Sequence, residues 1–176
     1  MTEEQDRTLQ ALKTAIQMEI DGKAFYLKAS QASGNELGRK LLQSLSKEED
    51  LHRQKFESIY GSISKQKGWP KTDYEPDGGR GLRTLFARAL EAEKPDMQTS
   101  SSEMDDIQKA MDMENQTYDF YISLGKKATY DAEKDFFEAV ASQEKEHHRI
   151  LLDYYEFLKD PAAWYVQKEH PSLDGG

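Results

Sequence analysis

Apolar residues recur along this chain at steps of three and four, the spacing of one helix face, and four long stretches keep that rhythm. The first runs from Glu4 to about Ser30 without a proline, and Gly34 follows it as a stop signal. The second runs from about Glu36 to Tyr60 and meets Gly61, a residue type favoured just past a helix end. The rhythm breaks over 61–80, where Pro70, Pro76 and the Gly78-Gly79 pair stand among polar residues. A short amphipathic stretch from Leu82 to about Glu93 follows, closed by Pro95. Ser102 with Asp105 resembles a capping box and opens a third long helix that reaches about Lys127; the fourth runs from near Asp131 to about Leu158. Asp160-Pro161 reads as the cap and first position of a short tail helix through Trp164, with fraying predicted at Pro171 and Gly175-Gly176. Helices of this size span about 38 Å, and the short links make each pair antiparallel. The expected fold is all-α: a four-helix bundle made of two antiparallel hairpins (4–60 and 102–158) joined by a long crossover (61–101) that contains a short helix. One domain is expected over 1–160, with a short peripheral tail over 161–176.

The two hairpins repeat one another at an offset of 95 positions. Leu12, Ala15, Met18, Phe25 and Tyr26 fall onto Ile107, Ala110, Met113, Phe120 and Tyr121. Leu42, Leu45, Phe56, Ile59 and Tyr60 fall onto Phe137, Val140, Leu151, Tyr154 and Tyr155. The same offset relates Glu19 to Glu114, and the Glu-x-x-His step Glu49/His52 to Glu144/His147. A repeat that carries both apolar and charged positions is a statement about architecture.

Each apolar seam contains an acid or an imidazole. On the first helix the seam reads Leu9, Leu12, Ile16, Glu19, Lys23, Tyr26, and on the third Met104, Ile107, Met111, Glu114, Tyr118, Tyr121. On the second it reads Leu42, Leu45, Glu49, His52, Phe56, Ile59, and on the fourth Phe137, Val140, Glu144, His147, Leu151, Tyr154, Leu158. Residues three or four apart share a face, so six polar side chains point where the apolar ones point. Buried unpaired carboxylates are costly, and four at one level of a bundle require a strong compensating charge. Two divalent cations would balance four glutamates with two neutral imidazoles, and an oxygen and nitrogen ligand set suits Fe, Mn or Zn. A single Glu-x-x-His on a charged helix is usually solvent-facing chance; two in matching seams, each with a partner acid, are not read that way.

Other polar residues weigh less. Lys23 stands where the second copy has Tyr118, one turn from Glu19, and either snorkels outward or pairs with a site carboxylate. Tyr26, Tyr118 and Tyr121 lie within two turns of the ligands, as core aromatics or as donors to ligand carboxylates. Glu48 and Glu146 neighbour the ligands but are expected on solvated faces, and His148 and His170 are left off the metal.

Composition narrows the function. With 36% apolar and 32% charged residues and a mean hydropathy of −0.90, most helix surface must be solvated. A net charge of −9 repels phosphate backbones, so nucleic acid is not an expected partner. No apolar run approaches a membrane span and no leader pattern opens the chain, which points to the cytoplasm. Zero cysteines exclude disulfides, thiolate ligands and iron–sulfur centres from this chain.

The lone Glu, the Glu-x-x-His, a crossover, and the same set again resemble the ferritin-like di-iron carboxylate proteins. AIQMEIDGKAFYLKAS (15–30), SKEEDLHRQKFESIY (46–60) and AMDMENQTYDFYISLG (110–125) look most like the rubrerythrin branch, over about residues 5–158. The resemblance implies two iron ions, with Mn or Zn as alternatives. Glu49 and Glu144 would bridge them, Glu19 and His52 would complete one, and Glu114 and His147 the other. It implies an oxidoreductase acting on hydrogen peroxide or dioxygen with electrons from an external donor protein. An iron-binding, ferroxidase or storage protein, and a non-catalytic interaction bundle, are the alternatives. Two departures stand out: Thr117 occupies a position where rubrerythrins carry a further glutamate, and no four-cysteine rubredoxin domain is present. A homodimer is a further expectation, with Trp69, Trp164 or the short crossover helix as an interface.

Overall fold

In the computed structural model, which describes residues 2–92 and 99–169, the chain forms six helices. They are α1 (Glu3–Ala32), α2 (Glu36–Ser64), α3 (Arg80–Ala92), α4 (Ser101–Lys127), α5 (Asp131–Lys159) and α6 (Pro161–Glu169). α1 packs along α2 and α4 along α5; the hairpins meet through α1 against α4 and α2 against α5. α3 lies against both α2 and α5, so the crossover covers the seam between the hairpins. The fold is the expected all-α bundle, and no described helix is long and apolar enough to cross a membrane.

The helix starts are set by local chemistry. Thr2 and Gln5 form a reciprocal capping box on α1, and the Asn35 side chain accepts from the Gly38 amide on α2. α4 starts earlier than the Ser102/Asp105 reading: Ser100 caps it by accepting from the Glu103 amide at 3.2 Å. α2 runs through Gly61 to Ser64, because nothing there forces a left-handed residue; the turn comes at Gln66 (φ 57°) and Gly68 (φ 73°). Gly78 and Gly79, both at positive φ, turn the chain into α3, whose first amides at Gly79 and Gly81 donate to the Asp77 carboxylate at 2.8 Å each. The stop signal Pro95, and Pro171 with Gly175-Gly176 and His170, lie outside the described residues.

The apolar core is two clusters. One gathers the end of α1, the start of α2, the start of α4 and the end of α5 around Leu41, Leu45, Ile107, Leu151 and Phe157. The other gathers the opposite ends around Leu12, Phe56, Tyr121, Phe137 and Val140. Between them, in each of the four long helices, sits the polar step, at Glu19, Glu49/His52, Glu114 and Glu144/His147. At one end of the bundle Glu103 is buried among neutral donors: Ser33 Oγ and Tyr154 OH at 2.6 Å, and Asn35 Nδ2 at 3.2 Å.

The tail and both tryptophans are used inside the chain. Trp164 and Tyr165 of α6 pack on Phe157, Trp164 also on Phe86, and the Tyr165 hydroxyl donates to the Leu90 carbonyl at 2.7 Å. Trp69 packs on Phe136 and Phe137. Neither ring stands free as the exposed interface anchor that the sequence suggested.

Candidate metal centre

The α2 and α5 seams are buried as read, from Leu42 to Ile59 and from Phe137 to Leu158. On α1 and α4 Leu9, Leu12, Glu19 and Tyr26, and Ile107, Met111, Glu114 and Tyr121, are buried as read, and two positions of each seam depart from it. Ala15 and Gly22 take the places assigned to Ile16 and Lys23, and Ala110 joins the core while Met104 and Tyr118 move to its margin. At Gly22 the reason is steric, because there the α1 backbone approaches Glu49. A Cβ on Gly22 would stand 3.1 Å from Glu49 Oε2. Lys23 accordingly leaves the site and pairs outward with Asp50 at 2.9 Å.

All six candidate ligands converge. Glu19, Glu144 and His147 are fully buried, and His52, Glu114 and Glu49 are at most 4% exposed. Two sets of four donors emerge, each with its ligand atoms within 4.8 Å of one another: Glu19, Glu49, His52, Glu144, and Glu49, Glu114, Glu144, His147. Glu49 and Glu144 belong to both sets. His52 Nδ1 lies 3.0 Å from Glu144 and 3.4 Å from Glu19; His147 Nδ1 lies 3.1 Å from Glu49, 3.3 Å from Glu144 and 3.5 Å from Glu114. The imidazoles stack with 14° between their planes. Glu19 Oε2, Glu49 Oε1, both Glu144 oxygens and both Nδ1 atoms are buried without a hydrogen bond. Buried polar atoms are normally satisfied, so a cluster of orphaned donor atoms aimed at one another is what a cation site looks like.

The protonation pattern says the same. Burial, then the charges of neighbouring carboxylates, pushes Glu19 and Glu114 well above the usual carboxyl range. Burial would lower both imidazoles, but it is outweighed by Glu144 and Glu19 at His52, and by Glu114 foremost at His147, so both rise. Glu144 is held low because the two histidines outweigh its own burial. Protons thus compensate the carboxylates where metal charge would otherwise do so.

The surrounding residues pair the two hairpins crosswise. Tyr26 donates to Glu114 and Tyr121 to Glu19, each phenol serving the lone glutamate of the other repeat. Burial, followed by those carboxylates, raises both phenols, which therefore stay protonated donors. Tyr118, half-buried, is not part of this pair. Behind the imidazoles the repeat breaks. His147 Nε2 bonds Glu48 at 2.8 Å, and the same Glu48 oxygen accepts from Gln143 at 2.7 Å; His52 Nε2 instead meets the Tyr74 hydroxyl at 2.8 Å.

Glu48 is therefore a correction. It is not a solvated bystander but the partner of the imidazole across the α2/α5 seam. Glu146 is not on a solvated face either: its side chain is 12% exposed and pairs with Arg83 and Arg149, away from the ligands. Gln143 and Tyr74 were missed altogether. Gln143 repeats Glu48 at the 95 offset, a signal that was present, whereas Tyr74 sits in irregular crossover where periodicity says nothing. Thr117 donates to the Met113 carbonyl of its own helix at 2.9 Å and offers no oxygen to the cluster. His148 is half-exposed and off the cluster.

A family model described as Rubrerythrin matches residues 10–155, and again residues 105–171. No curated protein and no solved structure matches the chain.

Proposed function

The chain belongs to the rubrerythrin family, and on that premise we propose that it is a dinuclear metal oxidoreductase, with iron as the metal, that reacts with hydrogen peroxide or dioxygen. The observation that carries this reading is the pair of four-donor sets sharing Glu49 and Glu144. In this proposal Glu49 and Glu144 are held in common by two metal ions, Glu19 and His52 serve one, and Glu114 and His147 the other. Oxygen and nitrogen donors with no thiolate suit iron, and four carboxylates offset two divalent charges. Bound there, two iron ions would supply Lewis acidity and two electrons for reduction of the oxidant.

The protein's own residues orient and insulate that chemistry. Tyr26 and Tyr121 hold one oxygen each of Glu114 and Glu19; the other Glu19 oxygen faces His52 Nδ1 at 3.4 Å, while the Glu114 oxygen that Tyr26 holds is also the one 3.5 Å from His147 Nδ1. Tyr74 and Glu48 engage the Nε2 atoms, so Nδ1 is the imidazole nitrogen that faces the metal positions. Apolar clusters pack against the layer on both sides along the bundle. In this reading the electrons come from an external donor protein. With Thr117 where a fifth carboxylate would stand, six ligand residues remain, so any redox-linked rearrangement has to be made by those six.

The test is elemental analysis of purified protein beside a Glu49→Ala/Glu144→Ala variant that keeps its helical circular dichroism. Two iron atoms per wild-type chain, lost in the variant, followed by oxidation of the ferrous protein on adding peroxide or oxygen, support the reading. A chain that binds no metal after iron reconstitution refutes it.

A further inference from the structure

The two repeats present equivalent grooves to solvent, and the grooves are not alike. In the first hairpin, at the level of Glu49, Asp50 gathers three donors: Lys23 Nζ and Arg53 Nε at 2.9 Å and Gln54 Nε2 at 3.0 Å. Lys23 comes from α1 and the others from α2, so Asp50 latches the α1/α2 groove shut beside Glu49.

At the 95 offset the second hairpin has Tyr118 for Lys23, Lys145 for Asp50, His148 for Arg53 and Arg149 for Gln54. The acceptor at the hub has become a cation, so no latch can form. A cleft of about 250 Å³ lies there instead, lined by Asn115, Tyr118, Glu144, Lys145, His148 and Arg149. Among its lining residues is Glu144, the fully buried residue common to both four-donor sets. Its rim is basic on a chain of net charge −9. Arg149 is engaged by Glu146 at 2.6 Å, while among the described residues Lys145 and His148 form no ion pair. Asn115 and Tyr118, facing them from α4, are neutral.

We propose that the α4/α5 cleft is the access port and waiting site for a small, singly charged anion of two or three atoms that ligates the metal pair, the latched α1/α2 groove being closed to it. The proposal rests on the dinuclear reading of the centre. A cationic rim over a narrow cleft raises the local concentration and association rate of such an anion by an amount that salt removes. Tyr118 and Asn115 limit the size of what passes.

The test uses the full chain loaded with cobalt(II), whose visible bands report ligation, with azide as the probe. Cobalt stoichiometry is measured first, then azide association by stopped-flow absorbance at low and high salt. Lys145→Asp restores an acceptor at the hub, and Tyr118→Trp fills the cleft; both positions are at the surface or margin of the bundle. Each is expected to slow azide association by about tenfold, with Lys145→Asp also abolishing the salt dependence. Lys23→Ala, which removes the latch from the other groove and leaves the cleft intact, is expected not to slow the rate. Two cobalt ions per chain with unchanged rates in both cleft variants, or no azide ligation at all, would overturn the port alone. A comparable slowing in Lys23→Ala would show that the effect is not specific to the cleft and would likewise overturn the port. Failure to bind cobalt would instead remove the dinuclear reading, and the port with it.

Discussion

Replacing Glu48 by glutamine tests whether the outer partners of the imidazoles make the two metal positions unequal. The Glu48 carboxylate, 23% exposed, accepts at one oxygen from His147 Nε2 at 2.8 Å and from Gln143 at 2.7 Å. The amide keeps the shape and one acceptor but loses the charge. A hydrogen bond to a charged group contributes about 1.5–3 kcal/mol and a neutral one about 0.5–1.5 kcal/mol, so the difference is about 1–1.5 kcal/mol. Partial exposure draws it toward the lower figure. Converted at about 1.4 kcal/mol per decade, this weakens metal binding at the His147 position about five- to tenfold. Tyr74→Phe removes a neutral bond from His52, worth about 0.5–1.5 kcal/mol, and weakens the other position about two- to tenfold. In the wild type the two affinities are expected to differ. Glu48→Gln should draw them together or reverse their order, and Tyr74→Phe should act on the opposite step. The assay is stepwise cobalt(II) titration against a chelator of known affinity, read by visible absorption, on variants whose circular dichroism is unchanged. If both variants shift the same step, or Glu48→Gln shifts neither, the outer partners do not differentiate the positions and the reasoning fails.

Three other outcomes are expected. Gly38→Ala places a methyl 2.9 Å from Glu103 Oε1 and closer still to Tyr154 OH and Ser33 Oγ, so overpacking and broken buried hydrogen bonds should cost about 3 kcal/mol. Thermal unfolding should drop by about 6–12 °C, whereas Gly61→Ala, with nothing within 4 Å, should rise by about 2 °C; equal shifts would contradict the burial assigned to Gly38. In metal-free protein Glu19, Glu114, His52 and His147 hold protons more tightly folded than unfolded, so stability should fall as pH rises above about 4.3 for the acids and about 6.5 for the imidazoles. Glu144 is depressed, so its contribution is lost only on acidification and leaves that window unchanged. Metal displaces those protons, so its stabilising increment should grow from pH 5 to 8; melting curves of chelated and loaded protein decide this, and a metal-free curve that rises with pH would refute it. Tyr26→Phe and Tyr121→Phe each remove a donor from a ligand carboxylate, and each should weaken metal binding by about tenfold in the same chelator competition. A variant that binds metal like the wild type would show that its phenol only fills space.

Much of the site was legible because periodicity and repetition are properties of the chain. Glu19, Glu49, His52, Glu114, Glu144 and His147 lie on buried faces because their neighbours three and four positions away are apolar, and the 95 offset identified them as two copies. Most of the α1 and α4 seams were legible too, but a helical stripe is wider than a seam of single residues. Only packing decided that Ala15 and Gly22, rather than Ile16 and Lys23, are buried on α1. The crosswise Tyr26–Glu114 and Tyr121–Glu19 pairs depend on how one hairpin faces the other, a relation with no local signature. Glu48 looked solvated because its helix position is at the margin of the buried face; it is a partner of His147 only because α5 lies beside it. Tyr74 reaches His52 from a segment without regular structure, and nothing short of the folded crossover could place it. The amino-acid order thus determined the helices, the inward ligand layer and its pairing by repetition, through short-range geometry. The tertiary structure alone decided what stands behind each ligand and which groove is closed, because those contacts join residues that sequence distance keeps apart.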